Sequence, residues 1–449
     1  MTDAAVAKCW TFGQWSIRGA IIALSLASPR LAGATTESES PYRVLDQMAR
    51  VLVRVETGYV EPVDHDRLLT GAIKGMVAEL DPHSSYLPAE DYKIFQSDTE
   101  GRFGGIGVEV DFQDDYVTVI APIEDSPAFR AGVKSGDRII AIDNTSVRGR
   151  SADDLVRQMR GKAGSKVTIT VRREGEDRLL YFTLVREVIE VSSIASKRLA
   201  EDVAYIRIKQ FQSGTHTELL KSIATLRKGG RISGVLLDLR NNPGGLVNEA
   251  SAIADEFLAS GVIYTTRHRS KLVDEVRATS HGALQRGPVV VLVNEYSASA
   301  AELVAGALQD HRRAVIVGAR TFGKGSVQTI LDLPGGDGLR LTTMRYYTPS
   351  GRAIQAQGIE PTLLVEGGYG KDRDFGVLRE RDLDNHLPAE GPPGSGPPAT
   401  DEEPEPTDDV KTHLGVALAR EIPEDPTGGA DLALSVGFQI LTGVMRVGG

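Results

Sequence analysis

VVVLVNEYSASAAELVAGAL, residues 289–308, decides how this chain is read. Val289 to Val293 is an unbroken apolar run rich in β-branched residues, the pattern of a strand buried on both faces. Leu303, Val304, Ala307 and Leu308 then recur at helical spacing, so Ser299 falls where a strand hands over to a helix. A hydroxyl there meets the unpaired amides and the positive dipole end of a first helical turn, which favour negative charge on a reacting oxygen. That environment suits acyl transfer. Ser299 followed by Glu302 is also a capping box, and for an isolated Ser-x-x-Glu the cap is the simpler account.

A second stretch, TFGKGSVQ at 321–328, follows another apolar run, Ala314 to Val317. If Gly325 to Ile330 is a strand, Lys324, Ser326 and Gln328 project to one side, since side chains alternate with period two. A lysine acts as a base near neutral pH only if burial lowers its pKa by roughly 2–3 units, a cost of about 3–4 kcal/mol. A lone Gly-Lys-Gly would otherwise read as a solvated turn. Further upstream, Asn242-Pro243-Gly244-Gly245 follows the apolar run Val235 to Leu239 and precedes a helical pattern of Leu246, Ala250, Ile253, Ala254 and Phe257. Its amides thus lie at a second strand-to-helix crossing, and two such crossings can pool donors around one carbonyl oxygen.

Taken together, SASAAELVAGALQD and TFGKGSVQ resemble the carboxyl-terminal processing (tail-specific) protease family, which uses a Ser/Lys dyad on a crotonase-like core. LDPHSSYL from Leu80, FGGIGVEV from Phe103, LDLRNNPGGLV from Leu237 and RYYTPSGRAIQAQGIEP from Arg345 resemble the same family in the same order. The resemblance runs from about Tyr42 to Leu387. It implies Ser299 as nucleophile, Lys324 as general base and Gln328 as the residue that hydrogen-bonds and orients the lysine. It also implies Gly245 and Ala300 as the oxyanion-hole amides. Ala301 stands where the family commonly has serine, a position that is not the nucleophile.

Between about Arg102 and Arg186 the pattern changes to short strands with one helix: Ile106 to Val110, Val117 to Ala121, Arg138 to Ile142, the helix Ser151 to Met159, Lys166 to Arg172 and Leu179 to Val185. This order, opening on Gly105-Ile106-Gly107-Val108, resembles a PDZ domain. Its glycines let consecutive amides turn toward a terminal carboxylate while a peptide adds as a strand to an open edge. Gly105, Ile106, Gly107, Val108 and Leu155 are the expected peptide-binding residues, with Val110 beside them in the apolar pocket. Taken alone, Gly105-Ile106-Gly107 would read as a plain hairpin or bulge.

The expected fold class is therefore α/β: a crotonase-like protease core with an inserted PDZ domain and an N-terminal helical region. The expected divisions are a signal peptide at 1–34, a helical region at 35–100, the PDZ domain at 101–187, the Ser/Lys core at 188–387, an acidic Pro/Gly-rich linker at 388–411 and a C-terminal extension at 412–449. Within the extension, Leu432 to Val444 reads as one more helix. Lys8 and Arg18 ahead of an apolar stretch from Gly19 to Ala27, then Ala32-Gly33-Ala34, match an export signal. The apolar stretch is short for a spanning helix. Export to a periplasm or cell envelope is the expectation, with membrane anchoring left open if the signal stays uncleaved.

A net charge of −10 and the lack of a basic stripe argue against a nucleic-acid partner. Cys9 is the only cysteine, which excludes an internal disulfide and a cysteine-based zinc cage, and the eight histidines are scattered. No metal or cofactor is expected. The expected partners are protein or peptide substrates engaged by their C-termini, with a regulatory adaptor and a homo-oligomer left open. The competing function is a catalytically silent PDZ adaptor or extracytoplasmic chaperone. A trypsin-like protease carrying a PDZ module needs His and Asp partners for a serine commonly set in Gly-Asn-Ser-Gly-Gly, and no such segment is present.

Overall fold

The computed structural model describes residues 41–112, 116–365, 378–390 and 431–447. The expected signal peptide and most of the expected linker lie outside these residues. Two units are resolved, one ending at His65 and the other running from Asp66 onward. In the first, Pro41–Gly58 is one helix, as the spacing of Val44, Leu45, Met48 and Val51 predicts.

The second unit is built on a six-stranded sheet. Its strands, in spatial order, are Ile194–Ala200, Val203–Ile208, Gly234–Asp238, Val289–Val293, Ala314–Gly318 and Leu363–Leu364. The first pair is antiparallel and the rest are parallel. The unbroken apolar runs of the central strands follow from double burial. Val235, Leu237, Val291, Val293 and Ile316 pack with the helices Thr215–Lys228, Val247–Phe257 and Ala300–Asp310. Their neighbours Leu236, Val290, Leu292 and Val317 face the other way, onto Leu434, Val436 and Leu441 of a C-terminal helix, Leu432–Val447. Each fully buried side chain of this size contributes roughly 1.5–3 kcal/mol. The helix expected from Leu432 is thus present, and it covers the three central strands Gly234–Asp238, Val289–Val293 and Ala314–Gly318 on that face.

A second, antiparallel sheet holds Ser85–Leu87, Gly338–Tyr347, Val262–His268 and Lys271–Arg277, with Ser326–Asp332 paired to Gly338–Tyr347. The region read as helical from the sequence contains the helices His65–Ala78 and Ala89–Glu100, but also the strand Ser85–Leu87. Three residues are too few to show a period, so that strand is set by its pairing with Gly338–Arg340.

The insert forms its own sheet in the order Val108–Phe112, Val117–Pro122, Arg138–Ile142, Lys166–Arg172 and Leu180–Val185, around a separate apolar core that includes Val119, Ile139, Leu155, Ile169 and Leu184. Arg102–Gly105 and Glu187–Glu190 pair as a ribbon where the chain enters and leaves it. Buried Arg186 ties off the exit, donating to the carbonyls of Gln158, Met159 and Lys166 and to Ser165 Oγ.

Candidate active site

Ser299 caps the helix Ala300–Asp310 at the end of the Val289–Val293 strand, with φ at 56° and only 8% exposure. A non-glycine residue in that region of backbone space is strained by roughly 1–3 kcal/mol, so its surroundings must hold it. The Ser299 N–H donates to Glu302 Oε2 at 2.7 Å, and the Ser299 carbonyl accepts from Leu303 N at 3.0 Å. The turn itself is knit to the Asn242–Gly245 turn: Ala298 N donates to the Asn242 carbonyl at 2.9 Å, Ser297 Oγ to the Leu239 carbonyl at 2.8 Å, and Asn241 and Asn294 exchange hydrogen bonds at 2.9 and 2.7 Å.

Glycine is required at 244, where φ is 100° and a Cβ would stand 2.7 Å from that of Ser299 and 3.0 Å from Ala300 N. The neighbouring donors are already used. Gly244 N bonds Asn242 Oδ1 at 2.8 Å, Leu246 N bonds the Phe211 carbonyl at 2.7 Å, and Ala301 N bonds the Ala298 carbonyl at 3.1 Å. Among the described residues, the amides of Gly245 and Ala300 have no acceptor. These are the two donors implied for an oxyanion hole, and they flank the serine.

The lysine loop reaches the same place through Glu302. This side chain is fully buried and accepts four hydrogen bonds: Ser299 N at 2.7 Å and Lys324 N at 2.9 Å on one oxygen, Gly323 N at 2.7 Å and Thr321 Oγ1 at 2.5 Å on the other. One oxygen therefore spans the main chains of the expected nucleophile and base. Burial pushes the Glu302 carboxyl up to about 7, against the donors, which favour its charged form. Buried Tyr346 also holds the lysine loop, donating its hydroxyl to the Lys324 carbonyl.

Lys324 is partly buried, and its pKa falls to about 8, first through loss of solvent and then through the Arg340 charge. Glu380, Asp81 and Glu302 oppose the shift. The loop is held by Gln355, whose Oε1 accepts from Gly325 N at 3.0 Å and whose Nε2 donates to Glu380 at 2.7 Å. His83 Nε2 lies 2.7 Å from the other oxygen of Glu380.

The strand begins at Ser326, one residue later than the spacing suggests, so Lys324 sits in the preceding loop. Ser326 and Gln328 share a side as expected: Gln328 Nε2 donates to Ser326 Oγ at 2.9 Å and to Thr342 Oγ1 at 3.4 Å. Thr342 Oγ1 continues to Asp81 at 3.1 Å, and Asp81 is capped by Ser84. Glu302, Tyr346, Gln355 and Glu380 were not singled out by sequence as site residues. Tyr346 and Gln355 fall within the RYYTPSGRAIQAQ stretch, which was the available signal.

In the insert, Val108–Phe112 is the edge strand of its sheet, with Val108 and Val110 packed against the core that contains Leu155 and Met159. Gly107 has φ at 75°, and its carbonyl is taken by Ile123 N and Ser126 Oγ, each at 2.9 Å. Among the described residues, the amides of Ile106 and Gly107 have no acceptor. Gly105 pairs with Glu187 in the entry ribbon, so it lies at the start of this donor turn. Also among the described residues, no group of His, Cys, Asp and Glu could hold a metal ion, and no helix is long and apolar enough to cross a membrane.

A serine at a tight crossing, with free amides on either side and a partly buried lysine sharing its carboxylate, is the layout of an acyl-transfer site. Residues 202–365 match the description Peptidase family S41, residues 104–184 match PDZ domain, and residues 7–91 match Activating protease CtpB N-terminal domain. The class is that of serine proteases carrying a PDZ domain. The Carboxy-terminal-processing protease of Bartonella bacilliformis is 40% identical over 413 residues, covering 90% of this chain and 94% of that protein. A Probable CtpA-like serine protease of Staphylococcus aureus is 35% identical over 350 residues, covering 77% of this chain and 69% of that one. The solved photosystem II D1 C-terminal processing protease is 28% identical, with a TM-score of 0.48, covering 78% of this chain and 92% of that one. The chain belongs to the carboxy-terminal-processing protease family.

Proposed function

We propose that the chain is an exported endopeptidase working through a Ser299/Lys324 dyad on a crotonase-like core. Neutral Lys324 Nζ takes the proton of Ser299 Oγ as that oxygen bonds the scissile carbonyl carbon. The Gly245 and Ala300 amides receive the oxyanion. The carbon–nitrogen bond then breaks, and the departing amine takes the proton back from Lys324. Water, deprotonated by the same lysine, attacks the acyl ester; the serine regains its proton and the acid product leaves. The observation that carries this reading is the single Glu302 oxygen that bonds both Ser299 N and Lys324 N, beside two unpaired amides. Among the described residues Gln328 makes no hydrogen bond to Lys324; it bonds Ser326 and Thr342, and its part in this reading is to brace the strand that follows the lysine loop.

The PDZ domain captures the substrate C-terminus: the Ile106 and Gly107 amides bind the carboxylate, and the peptide adds to the Val108–Phe112 edge. Export follows from the order of charge, apolar run and small residues before Ala34. It is tested by N-terminal sequencing of the chain recovered from cells. For the chemistry, purified Ser299→Ala and Lys324→Ala are compared with the parent on an unstructured protein of apolar C-terminus. Both variants lose cleavage if the dyad operates, and unchanged cleavage in either removes it. A parent that binds the C-terminus but never cuts would leave the silent adaptor instead.

A further inference from the structure

The C-terminal helix Leu432–Val447 lies more than a hundred residues beyond Lys324 in sequence, yet the residue that caps its start, Asp431, meets Arg240, which leads into the Asn241–Gly245 turn. Its seat on the sheet is close. A Cβ at Gly437 would stand 2.8 Å from Leu292 Cδ2, and one at Gly234 would stand 2.7 Å from Met445 Sδ. Asp431, just ahead of the helix, accepts from Leu434 N at 3.0 Å and so caps its first turn. The same carboxylate takes both terminal nitrogens of Arg240, at 2.7 and 2.8 Å.

Arg240 is held from the other side by fully buried Asp238, which accepts its Nε and Nη2 and also its main-chain N–H at 2.9 Å. Tyr205 donates its hydroxyl to Asp238 at 2.9 Å. The guanidinium is thus clamped between the last strand residue and the cap of a helix from the far end of the chain. A forked pair of this kind fixes orientation as well as distance. The next residues are Asn241, with φ at 57°, Asn242, Pro243, Gly244 and Gly245.

We infer that Asp431 is a positioning residue: through Arg240 it sets where the Asn241–Gly245 turn leaves the sheet, and hence where the Gly245 amide points. This rests on the proposed reading of Gly245 as an oxyanion donor. The C-terminal helix is then part of the frame of the active site, because it places Asp431. A donor moved by a fraction of its bond length stabilises the developing charge less and leaves substrate binding almost unchanged.

The test uses the full chain with Asp431→Asn, Asp431→Glu and Leu441→Ala, assayed on a peptide substrate and with a peptide aldehyde of the same sequence. In Asp431→Asn, kcat falls roughly tenfold while KM stays within about twofold, and aldehyde affinity falls in step with kcat. The shape of the pH profile is kept, since Lys324 is untouched. Asp431→Glu restores most of kcat. Leu441→Ala, which opens a cavity against Gly234 at the opposite end of the strand from Arg240 and leaves Asp431 seated, lowers the melting temperature and leaves kcat at 25 °C near that of the parent. The inference is overturned if Asp431→Asn keeps the parent kcat, or if its loss comes without weaker aldehyde binding. Cleavage surviving in Ser299→Ala would instead remove the acyl-transfer reading itself, and the inference with it.

Discussion

The protonation state of Lys324 should set the acid side of the rate profile, and the structure gives the position of that limb. Removal from solvent and the Arg340 charge bring its pKa from the usual 10.5 to about 8. At pH 7 roughly a tenth of the side chain is then neutral, and at pH 9 about nine-tenths. kcat/KM should therefore rise about tenfold between pH 7 and 9 and level off above, where an ordinary lysine would still be climbing. Two substitutions move the limb in opposite directions. Arg340→Met removes a like charge and shifts it to higher pH; Glu380→Gln removes an opposite charge and shifts it lower, each by about one unit or less. The same shift appears in stability. Below pH 8 both folded and unfolded chains carry the ammonium, and the folded chain bears its full desolvation cost, about 3 kcal/mol at most. That cost fades as the pH rises from 8 to 10.5. Lys324→Met should accordingly be more stable than the parent at pH 7, and the difference should narrow toward pH 10.5. The assay is the initial rate on a fluorogenic peptide with an apolar free C-terminus, with urea melts at each pH. A limb centred above pH 9.5, or one unmoved by both neighbours, would refute the reasoning.

Glu302→Gln replaces four accepting contacts with an amide that can accept at one oxygen only and turns its NH₂ against two N–H groups. With each charge-assisted bond contributing about 1.5–3 kcal/mol, kcat should fall more than a hundredfold and the unfolding midpoint should drop clearly; a kcat within threefold of the parent would contradict the tie. Gly244→Ala forces a Cβ against Ser299 Cβ at 2.7 Å and into a backbone region with φ at 100°, so turnover should fall by about two orders of magnitude with little change in melting of the PDZ domain, read from separate calorimetric transitions. In the PDZ domain, amidating the C-terminus of a bound peptide should weaken binding at least tenfold by calorimetry, because the Ile106 and Gly107 amides would lose a charged acceptor; equal affinity would place the carboxylate elsewhere.

What sequence shows here follows from how local each feature is. The strand Val289–Val293 and the helix from Ala300 carry their own periods, and Ser299 is marked by falling between them. The later strands of the insert are legible closely, whereas the first, expected at Ile106 to Val110, is Val108–Phe112 because Gly107, with φ at 75°, turns the chain before pairing begins, and the four-residue helix Pro127–Arg130 is too short to show a period. Lys166–Arg172 and Arg138–Ile142 were placed without error. The apolar run Val289–Val293 also told that both faces were covered, although not by what. Leu432–Val447 covers one face, and a helix so far along the chain cannot be assigned to its partner by period alone.

The lysine is the opposite case. Nothing in Gly323-Lys324-Gly325 distinguishes a base from a solvated turn, because the groups that change its acidity come from Asp81, Glu302, Arg340 and Glu380, spread over about three hundred residues. Glu302 is visible in the sequence as half of a capping box, and that cap is compatible with the proposed catalytic role of Ser299. The carboxylate that caps the Ser299 N–H also accepts from Lys324 N and Gly323 N. Any substitution that spoils the cap must therefore release the lysine loop as well. The strained φ of Ser299 is sustained by the same oxygen that holds the Lys324 main chain, so the proposed nucleophile and base are assembled together when that helix is closed.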